Sequence, residues 1–493
     1  MPPRSVFALL FCSAAFAQEA YHEPYRPQFH FSPKVNWTND PNGLVYLDGT
    51  YHLFFQFNPF GDTWGHMSWG HATSRDLLHW QQQPVALPEA DGVMIFTGST
   101  VVDTNNSSGF CQGGRPCLVA IYTGHTMEAK PKPALQTQNL AYSNDGGIHW
   151  TKYSANPVLD LHMSDFRDPK VFWSTASKQW IMVVSLPDDH KARFYGSPDL
   201  KRWSQVSEFG PAGATGGQWE CPELFELPLD GRSSGKTRWV LKVGLNPGGL
   251  QGGSGEQYFV GRFDGTKFIN DNPSSQTLWT AYGKDCYCAL TFNHLPPDQP
   301  QVMIGWMNNW QYANVVPTHP WRGQMTFPRE LSLKTYPEGI RLVQQPIAAI
   351  EKLREQTAGR AASGQVLEIE STMDLGSSTT EAGWHVLAED GTYTEIGYDV
   401  KAKQIFVDRT KSGNVSFSDK FPARTAAPLD VGGHLKLHIL IDRMSVEVFA
   451  GDGQIALTNL VFPPQNASTV AFYSHGGPVT KTTSTIWKIR SIW

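Results

Sequence analysis

Three short motifs each set a carboxylate in a turn-rich, aromatic context: Asn39-Asp40-Pro41-Asn42-Gly43, Phe166-Arg167-Asp168-Pro169 and Trp219-Glu220-Cys221-Pro222. Two carboxyl groups facing one bond are what glycoside hydrolysis needs. In its retaining form one group is the nucleophile and the other the acid/base, about 5–5.5 Å away. The nucleophile must be ionised while the acid keeps its proton, so their surroundings must push their pKa values apart. Asp40 lies in a Pro-Asn-Gly turn rich in backbone N–H donors and beside Asn39, which favours its carboxylate form. Glu220 lies between Trp219 and Cys221, with Pro222 following. An apolar collar and a nearby carboxylate raise a pKa, which suits an acid that protonates a leaving oxygen. Asp168 adjoins Arg167, a partner that keeps it charged and makes it a poor proton donor. Its expected role is to accept hydrogen bonds from sugar hydroxyls, bonds that strengthen as the ring gains positive charge in the transition state. Each motif alone has a plainer reading. Asp-Pro-Asn-Gly is an ordinary turn, Arg167-Asp168 a simple ion pair between loops, and Glu220 a strand cap. The conjunction points to chemistry.

The elements that must position these groups read as strands. Helical periodicity is scarce, and short apolar-aromatic runs dominate, among them Tyr51–Gln56, Cys117–Tyr122, Trp180–Ser185, Trp239–Val243 and Val302–Trp306. Each is of strand length and bounded by Gly, Pro, Asn or Asp. Ser74-Arg-Asp76-Leu-Leu-His-Trp80 recurs as Ser143-Asn-Asp145-Gly-Gly-Ile-His-Trp150 and as Ser197-Pro-Asp199-Leu-Lys-Arg-Trp203. The shared Ser-x-Asp forms a turn, and the Trp opens the next strand. Three copies in order suit repeated four-stranded blades, hence a β-propeller. Texture changes near Pro346, where Ile347 to Ala362 carries no strand signal and reads as a short helix or linker. Alternating strands resume near Val366, as in Leu435–Ile441 and Val446–Phe449, with the spacing of a β-sandwich. The expectation is an all-β chain divided into a signal peptide over 1–17, a propeller over 18–346, a linker over 347–364 and a sandwich over 365–493.

Composition agrees. Of 493 residues, 12% are aromatic, 17 of them Trp, and only 17% are charged. That mix suits an aromatic-lined site for a neutral, polar ligand such as a sugar. Net charge is −5 and no long basic run appears, which argues against nucleic acid as a partner. No apolar run after the N-terminus is long enough to cross a membrane. At the N-terminus Arg4, the apolar stretch Val6–Phe16 and Ala15-Phe16-Ala17 read as a secretory signal cleaved after Ala17, so a secreted, extracellular protein is expected.

The mature chain then holds five Cys, and an odd number leaves at least one free thiol. Cys111 and Cys117 bracket a tight loop and are the expected disulfide. Cys286 and Cys288 would share one face of a strand. A direct bond between them is not expected, nor is a metal site, since no partnering Cys-x-x-C or His pair lies nearby. Sequons occur at Asn36, Asn105, Asn106, Asn414 and Asn466. A glycan on Asn36 would crowd Asp40, so the other four are the expected glycosylation sites.

Trp37-Thr38-Asn39-Asp40-Pro41-Asn42-Gly43, Phe54-Phe55-Gln56, Trp69-Gly70-His71-Ala72, Arg167-Asp168-Pro169 and Trp219-Glu220-Cys221-Pro222 together resemble glycoside hydrolase family 32, the family of invertases, inulinases, levanases and related fructosyltransferases. Ile304–Trp310 and Asp442-Arg443-Met444-Ser445-Val446-Glu447-Val448-Phe449 extend the likeness, which runs from about Tyr25 to Trp493 and is nearest to secreted fungal exo-inulinases and invertases. The resemblance implies a five-bladed propeller followed by a sandwich. It implies Asp40 as nucleophile, Glu220 as acid/base and Asp168 as transition-state stabiliser, with no metal or organic cofactor. It further implies that Asn39, Gln56, Trp64, Ser99, Arg167 and Trp321 line the pocket for a terminal fructosyl unit and that Phe96 forms part of its wall. Gly283-Lys284-Asp285-Cys286-Tyr287 matches another family pattern, either supporting the pocket or serving packing.

Two positions depart from the family pattern. Thr38 replaces the usual Met or Ile, and Glu223 stands where Asp or Gly is usual. Neither touches the three carboxylates. The implied activity is a retaining, exo-acting β-fructofuranosidase that hydrolyses terminal fructosyl units of sucrose, inulin or levan, the intact Asp-Pro-Asn-Gly element favouring exo over endo action. Two alternatives stand beside it. One is fructosyl transfer to a sugar hydroxyl, and the other is a carbohydrate-binding protein without catalysis.

Overall fold

A computed structural model describes residues 21–128, 133–355 and 363–493. The proposed signal sequence and part of the proposed linker lie outside those residues. Five antiparallel sheets are built around one axis. Their first strands are Asn36–Leu47, Val93–Asp103, Arg167–Ser174, Gln218–Pro228 and Tyr287–Thr291. Each of these strands touches the next, and the fifth touches the first, which closes the ring of a five-bladed propeller. Closure covers the faces that the first and last blades of an open array would leave exposed, so that only short outer edges remain. Trp321–Arg322, a segment of the fifth blade's sequence, pairs in parallel with Asn36–Trp37 of the first and seals the join.

The Ser-x-Asp repeat is one local structure used three times, between the third and fourth strands of the first three blades. Asp76 Oδ1 accepts the backbone N–H groups of Leu78 and His79, and Trp80 Nε1 returns a bond to Leu77 O at 3.1 Å. Asp145 with Trp150, and Asp199 with Trp203, repeat this arrangement. The carboxylate satisfies turn donors while the indole anchors the next strand to the turn.

Beyond Pro346 the chain makes a 3-10 turn over Ala348–Leu353 and enters two five-stranded antiparallel sheets. Ile369, Ile439 and Val448 from one sheet meet Val386, Ile396 and Ile405 from the other in a dry core, which defines the sandwich. Buried charge fastens the sandwich to the propeller. Asp285 pairs with Arg409 and accepts Leu460 N–H at 2.8 Å. Arg329 Nη2 lies 2.6 Å from Glu447 Oε1. His30, in the segment before the first blade, places Nδ1 2.9 Å from Asp442 and Nε2 3.5 Å from Glu447. The motif around Asp442–Phe449 therefore supplies Asp442 and Glu447 to this junction, and the propeller supplies Asp285.

Cys111 and Cys117 are bonded, as their spacing suggested. A second disulfide joins Cys221 to Cys288, and Cys286 is the buried free thiol. Strand alternation would have put Cys286 and Cys288 on one face. A register shift between Tyr287 and Leu290, with Cys288 at φ +45°, breaks that alternation and sends the two sulfurs apart.

Candidate active site

In every blade the first strand is bulged at the same level. The register shifts fall at Thr38/Pro41, Ile95/Gly98, Arg167/Lys170, Glu220/Glu223 and Tyr287/Leu290. A bulge frees a residue from the ladder and re-aims its side chain. Asp40, Thr97 and Asp168 lie inside these shifts, and Glu220 and Tyr287 border theirs. Asp168 adopts φ +66°, a conformation tolerated at special sites rather than in regular strands. The expected Asp-Pro-Asn-Gly turn is instead part of the bulged strand, where Gly43 adopts φ +57° and a Cβ would come within 2.8 Å of Phe54 and Thr100.

These bulges converge on a cavity of about 400 Å³ whose wall includes Asp40, Asp168 and Glu220. Asn39, Gln56, Trp64, Phe96 and Arg167 line it too. Trp64 and Phe96 meet edge to face, with centroids 6.2 Å apart, and Phe96 stacks on His125 at 4.5 Å. Ser99 and Trp321 are not part of this wall. Ser99 Oγ accepts Val171 N–H at 2.9 Å and so ties the second blade to the third. Trp321 is fully buried, with the Arg26 guanidinium 3.6 Å from its ring centroid.

The charges are arranged differently from what the motifs suggested. Arg167 does not pair with its neighbour Asp168. Its Nη2 and Nε lie 2.8 and 3.1 Å from Glu220 Oε1, and its Nη1 lies 2.7 Å from Asp165. Tyr287 donates its hydroxyl to the other oxygen of Glu220. The surroundings of Glu220 are therefore a cation and a phenol, not an apolar collar. Asp168 accepts Cys221 N–H at 2.9 Å, and burial, followed by the opposing influence of Arg167 and the repulsion of Glu220, leaves its pKa raised to about 8. Asp40 accepts Thr97 Oγ1 at 3.0 Å. Trp37 Nε1 binds Asn39 Oδ1 at 2.8 Å, which turns the Asn39 amide toward Asp40. Burial and the charge of Glu220 outweigh these donors and push Asp40 up to about 7. Tyr287 is pushed well above its ordinary value, first by burial and then by Glu220, so it remains a proton donor.

Two buried polar atoms, Asp40 Oδ1 and Gln56 Nε2, have no partner among the described residues. They offer an acceptor and a donor to a ligand in the cavity. The wall also holds His125, Gln136, Asn246 and Trp310, none of which carries a motif of its own apart from Trp310, the last residue of Ile304–Trp310. Gln136 Oε1 accepts Phe166 N–H at 2.8 Å and so fixes the strand that carries Arg167. The two departures lie behind the wall. Thr38 bonds Gln56 O at 3.0 Å, and Glu223 pairs with Lys170 at 3.2 Å. In Gly283–Tyr287 the roles divide, Tyr287 serving the cavity and Asp285 the junction.

A propeller whose axial cavity gathers four carboxyl groups, Asp40, Asp165, Asp168 and Glu220, the last held by an arginine and a phenol, is built to act on glycosidic bonds, and the protein is a glycoside hydrolase. It belongs to glycosyl hydrolases family 32: residues 30–346 match the family's N-terminal domain and residues 340–488 its C-terminal domain. It is 44% identical to a levanase of Bacillus subtilis, covering 99% of this chain and 74% of that protein. It is also 44% identical to the extracellular exo-inulinase inuE of Aspergillus ficuum, covering 99% of each. The crystal structure of exo-inulinase from Aspergillus awamori superimposes with a TM-score of 0.91 at 42% identity, covering 96% of this chain and 100% of that one.

Proposed function

We propose that the protein is a secreted, retaining, exo-acting β-fructofuranosidase that releases terminal fructose from sucrose, inulin or levan. The observation that carries this reading is the convergence of Asp40 and Glu220, from the first and fourth blades, on one cavity. The family and the relatives named exo-inulinase and levanase supply the substrate class.

Asp40 attacks the anomeric carbon C2 of the fructosyl unit while Glu220 protonates the leaving oxygen. A covalent fructosyl-enzyme forms, and Glu220 then takes a proton from water, which releases fructose with retained configuration. Asp168 binds the sugar hydroxyls. Burial favours the protonated forms of Asp40 and Asp168. Attack needs Asp40 ionised and a proton available on Glu220, so Asp40 must give up its proton within this coupled set before the bond breaks. Asn39, Gln56, Trp64, Phe96 and Arg167 hold the fructosyl unit. The pocket recognises what the three substrates share, the terminal β-linked fructose.

The same reading takes residues 1–17 as a cleaved leader, 18–346 as the catalytic propeller, 347–364 as a linker and 365–493 as a supporting sandwich. An extracellular location is supported by the names of the exo-inulinase relatives, and among the described residues no helix is long and apolar enough to span a membrane. Asn105, Asn106, Asn414 and Asn466 are exposed, whereas Asn36 is half-buried and its amide is bonded to Pro59 O at 2.8 Å.

The test is the product profile on sucrose, inulin and levan side by side. Fructose as the sole early product from the two polymers supports exo hydrolysis. Early oligosaccharides of intermediate length would overturn it, and kestose as the main product from concentrated sucrose would make the protein a transferase.

A further inference from the structure

Cys221 follows Glu220 directly, Cys288 follows Tyr287 directly, and the two sulfurs are bonded across 67 residues of sequence. Glu220 and Tyr287 are themselves joined by the phenol-carboxylate hydrogen bond. The same Cys221 gives its backbone N–H to Asp168 at 2.9 Å. Both sulfurs and a carboxylate oxygen of Asp40 lie within 4.8 Å of one another. One covalent link thus adjoins Asp40, Asp168, Glu220 and Tyr287.

Its position answers a mechanical problem. The fourth and fifth blades are separate sheets, so no backbone ladder fixes the distance between Glu220 and Tyr287. Both half-cystines lie at their blades' bulges, at φ +47° and +45°, where ladder bonds are interrupted. Further along the same strands, Glu223 accepts Thr291 Oγ1 at 2.9 Å, a tie below the ring of carboxyls. At the level of the reaction the disulfide is the cross-link. Its sulfurs also donate no proton, so they leave the carboxylate of Asp40 without a donor on that side.

We propose that the Cys221–Cys288 disulfide is a positioning element of the active site, which holds Glu220 and Tyr287 in register and presents donor-free sulfur to Asp40. The proposal rests on the assignment of Asp40 and Glu220 as the reacting carboxyls. Cys111–Cys117 has no such role, because it closes a surface loop of the second blade.

Three paired variants test this on the full chain with sucrose: C221A/C288A, C221S/C288S and, as the control, C111A/C117A. The groups that face Asp40 are Glu220, Asp168 and Tyr287, with Thr97 and Asn39 as donors. The alanine pair is expected to lower kcat by about tenfold or more with little change in KM, because orientation and not binding is lost. The serine pair is expected to move the acidic limb of kcat/KM to lower pH as well, since hydroxyl donors then stabilise the Asp40 carboxylate. The control pair keeps wild-type kcat and its pH profile. Wild-type kcat and pH profile in the alanine pair, whatever its melting temperature, would overturn the proposal while leaving the catalytic assignment intact. Recovery of both site pairs only as unfolded protein would make the bridge a staple of the fold and overturn the positioning role. A wild-type protein that releases no fructose would remove the catalytic assignment itself, and the proposal with it.

Discussion

Arg167 grips one oxygen of Glu220 with two nitrogens, Nη2 at 2.8 Å and Nε at 3.1 Å, and the same Nη2 reaches Gln218 Oε1 at 2.7 Å. This is a fork, not a point charge, and it sets the direction in which the carboxyl group faces the cavity. Lysine would keep the charge but not the fork. Arg167→Lys is therefore expected to lower kcat on sucrose by about a hundredfold with a near-wild-type melting temperature. Unchanged turnover would show that the cation alone matters.

Tyr287 holds the other oxygen of Glu220 and stays protonated because burial and that same carboxylate oppose its ionisation. A hydrogen bond to a charged group contributes about 1.5–3 kcal/mol, or roughly one to two decades in rate if it is fully needed in the transition state. Tyr287→Phe should lose turnover within that range and alter the pH profile of kcat. A change in KM alone would assign the phenol to binding.

The carboxyls were legible in the sequence because each lies in a short, distinctive motif, although the motifs fold as bulged strands and not as turns. The repeated Ser-x-Asp turns likewise gave away the blades. What was not legible depends on bulges and on distance in the chain. Arg167 adjoins Asp168 in sequence, yet the bulge at Asp168 turns the two side chains to different partners, and Glu220, 53 residues on, receives the guanidinium. Cys288 escaped for the same reason, since period-2 alternation fails at φ +45°. The apolar collar expected around Glu220 was inferred from its neighbours Trp219 and Cys221. Trp219 instead faces the core between the third and fourth blades, and Cys221 is bonded to Cys288 beside Asp40. His125, Gln136 and Asn246 reach the cavity from second and third strands of their blades, where single polar residues look like any others.

Asp40 is the group whose loss should be decisive. Asp40→Asn removes the nucleophile while keeping the shape, so turnover should fall by about ten thousandfold or more. Stability should move the other way. The folded-state pKa of about 7 lies above the ordinary 3.8, so the stability linked to this group is complete below the lower value and is lost as pH rises through the higher one. An asparagine escapes that loss. Above neutral pH the variant should melt at a higher temperature than the wild type, and the difference should shrink in acid. A variant that is less stable at every pH would refute this account of the site's electrostatics.

His30 gives the opposite test, at the junction of the two halves. Burial alone would lower its pKa, but the hydrogen bond to Asp442 and the charge of Glu447 overcome that and raise it from 6.5 to about 9. Glu447 is shared with Arg329, and Asp442 also accepts the backbone N–H groups of Gln28 and Phe29, so the imidazolium completes a closed set of charges. With the folded-state pKa raised, the contribution is fully present below pH 6.5 and is lost as pH rises through about 9. The shift corresponds to about 3 kcal/mol at its full extent. His30→Gln leaves Asp442 without its cation and Glu447 with Arg329 alone, so it should destabilise the protein strongly near pH 6. Near pH 10 the wild-type ring is itself neutral, and the gap between the two proteins should largely close. Chemical denaturation of both proteins at the two pH values measures this directly. Equal destabilisation at both would mean that His30 acts through packing and carries no charge at the junction.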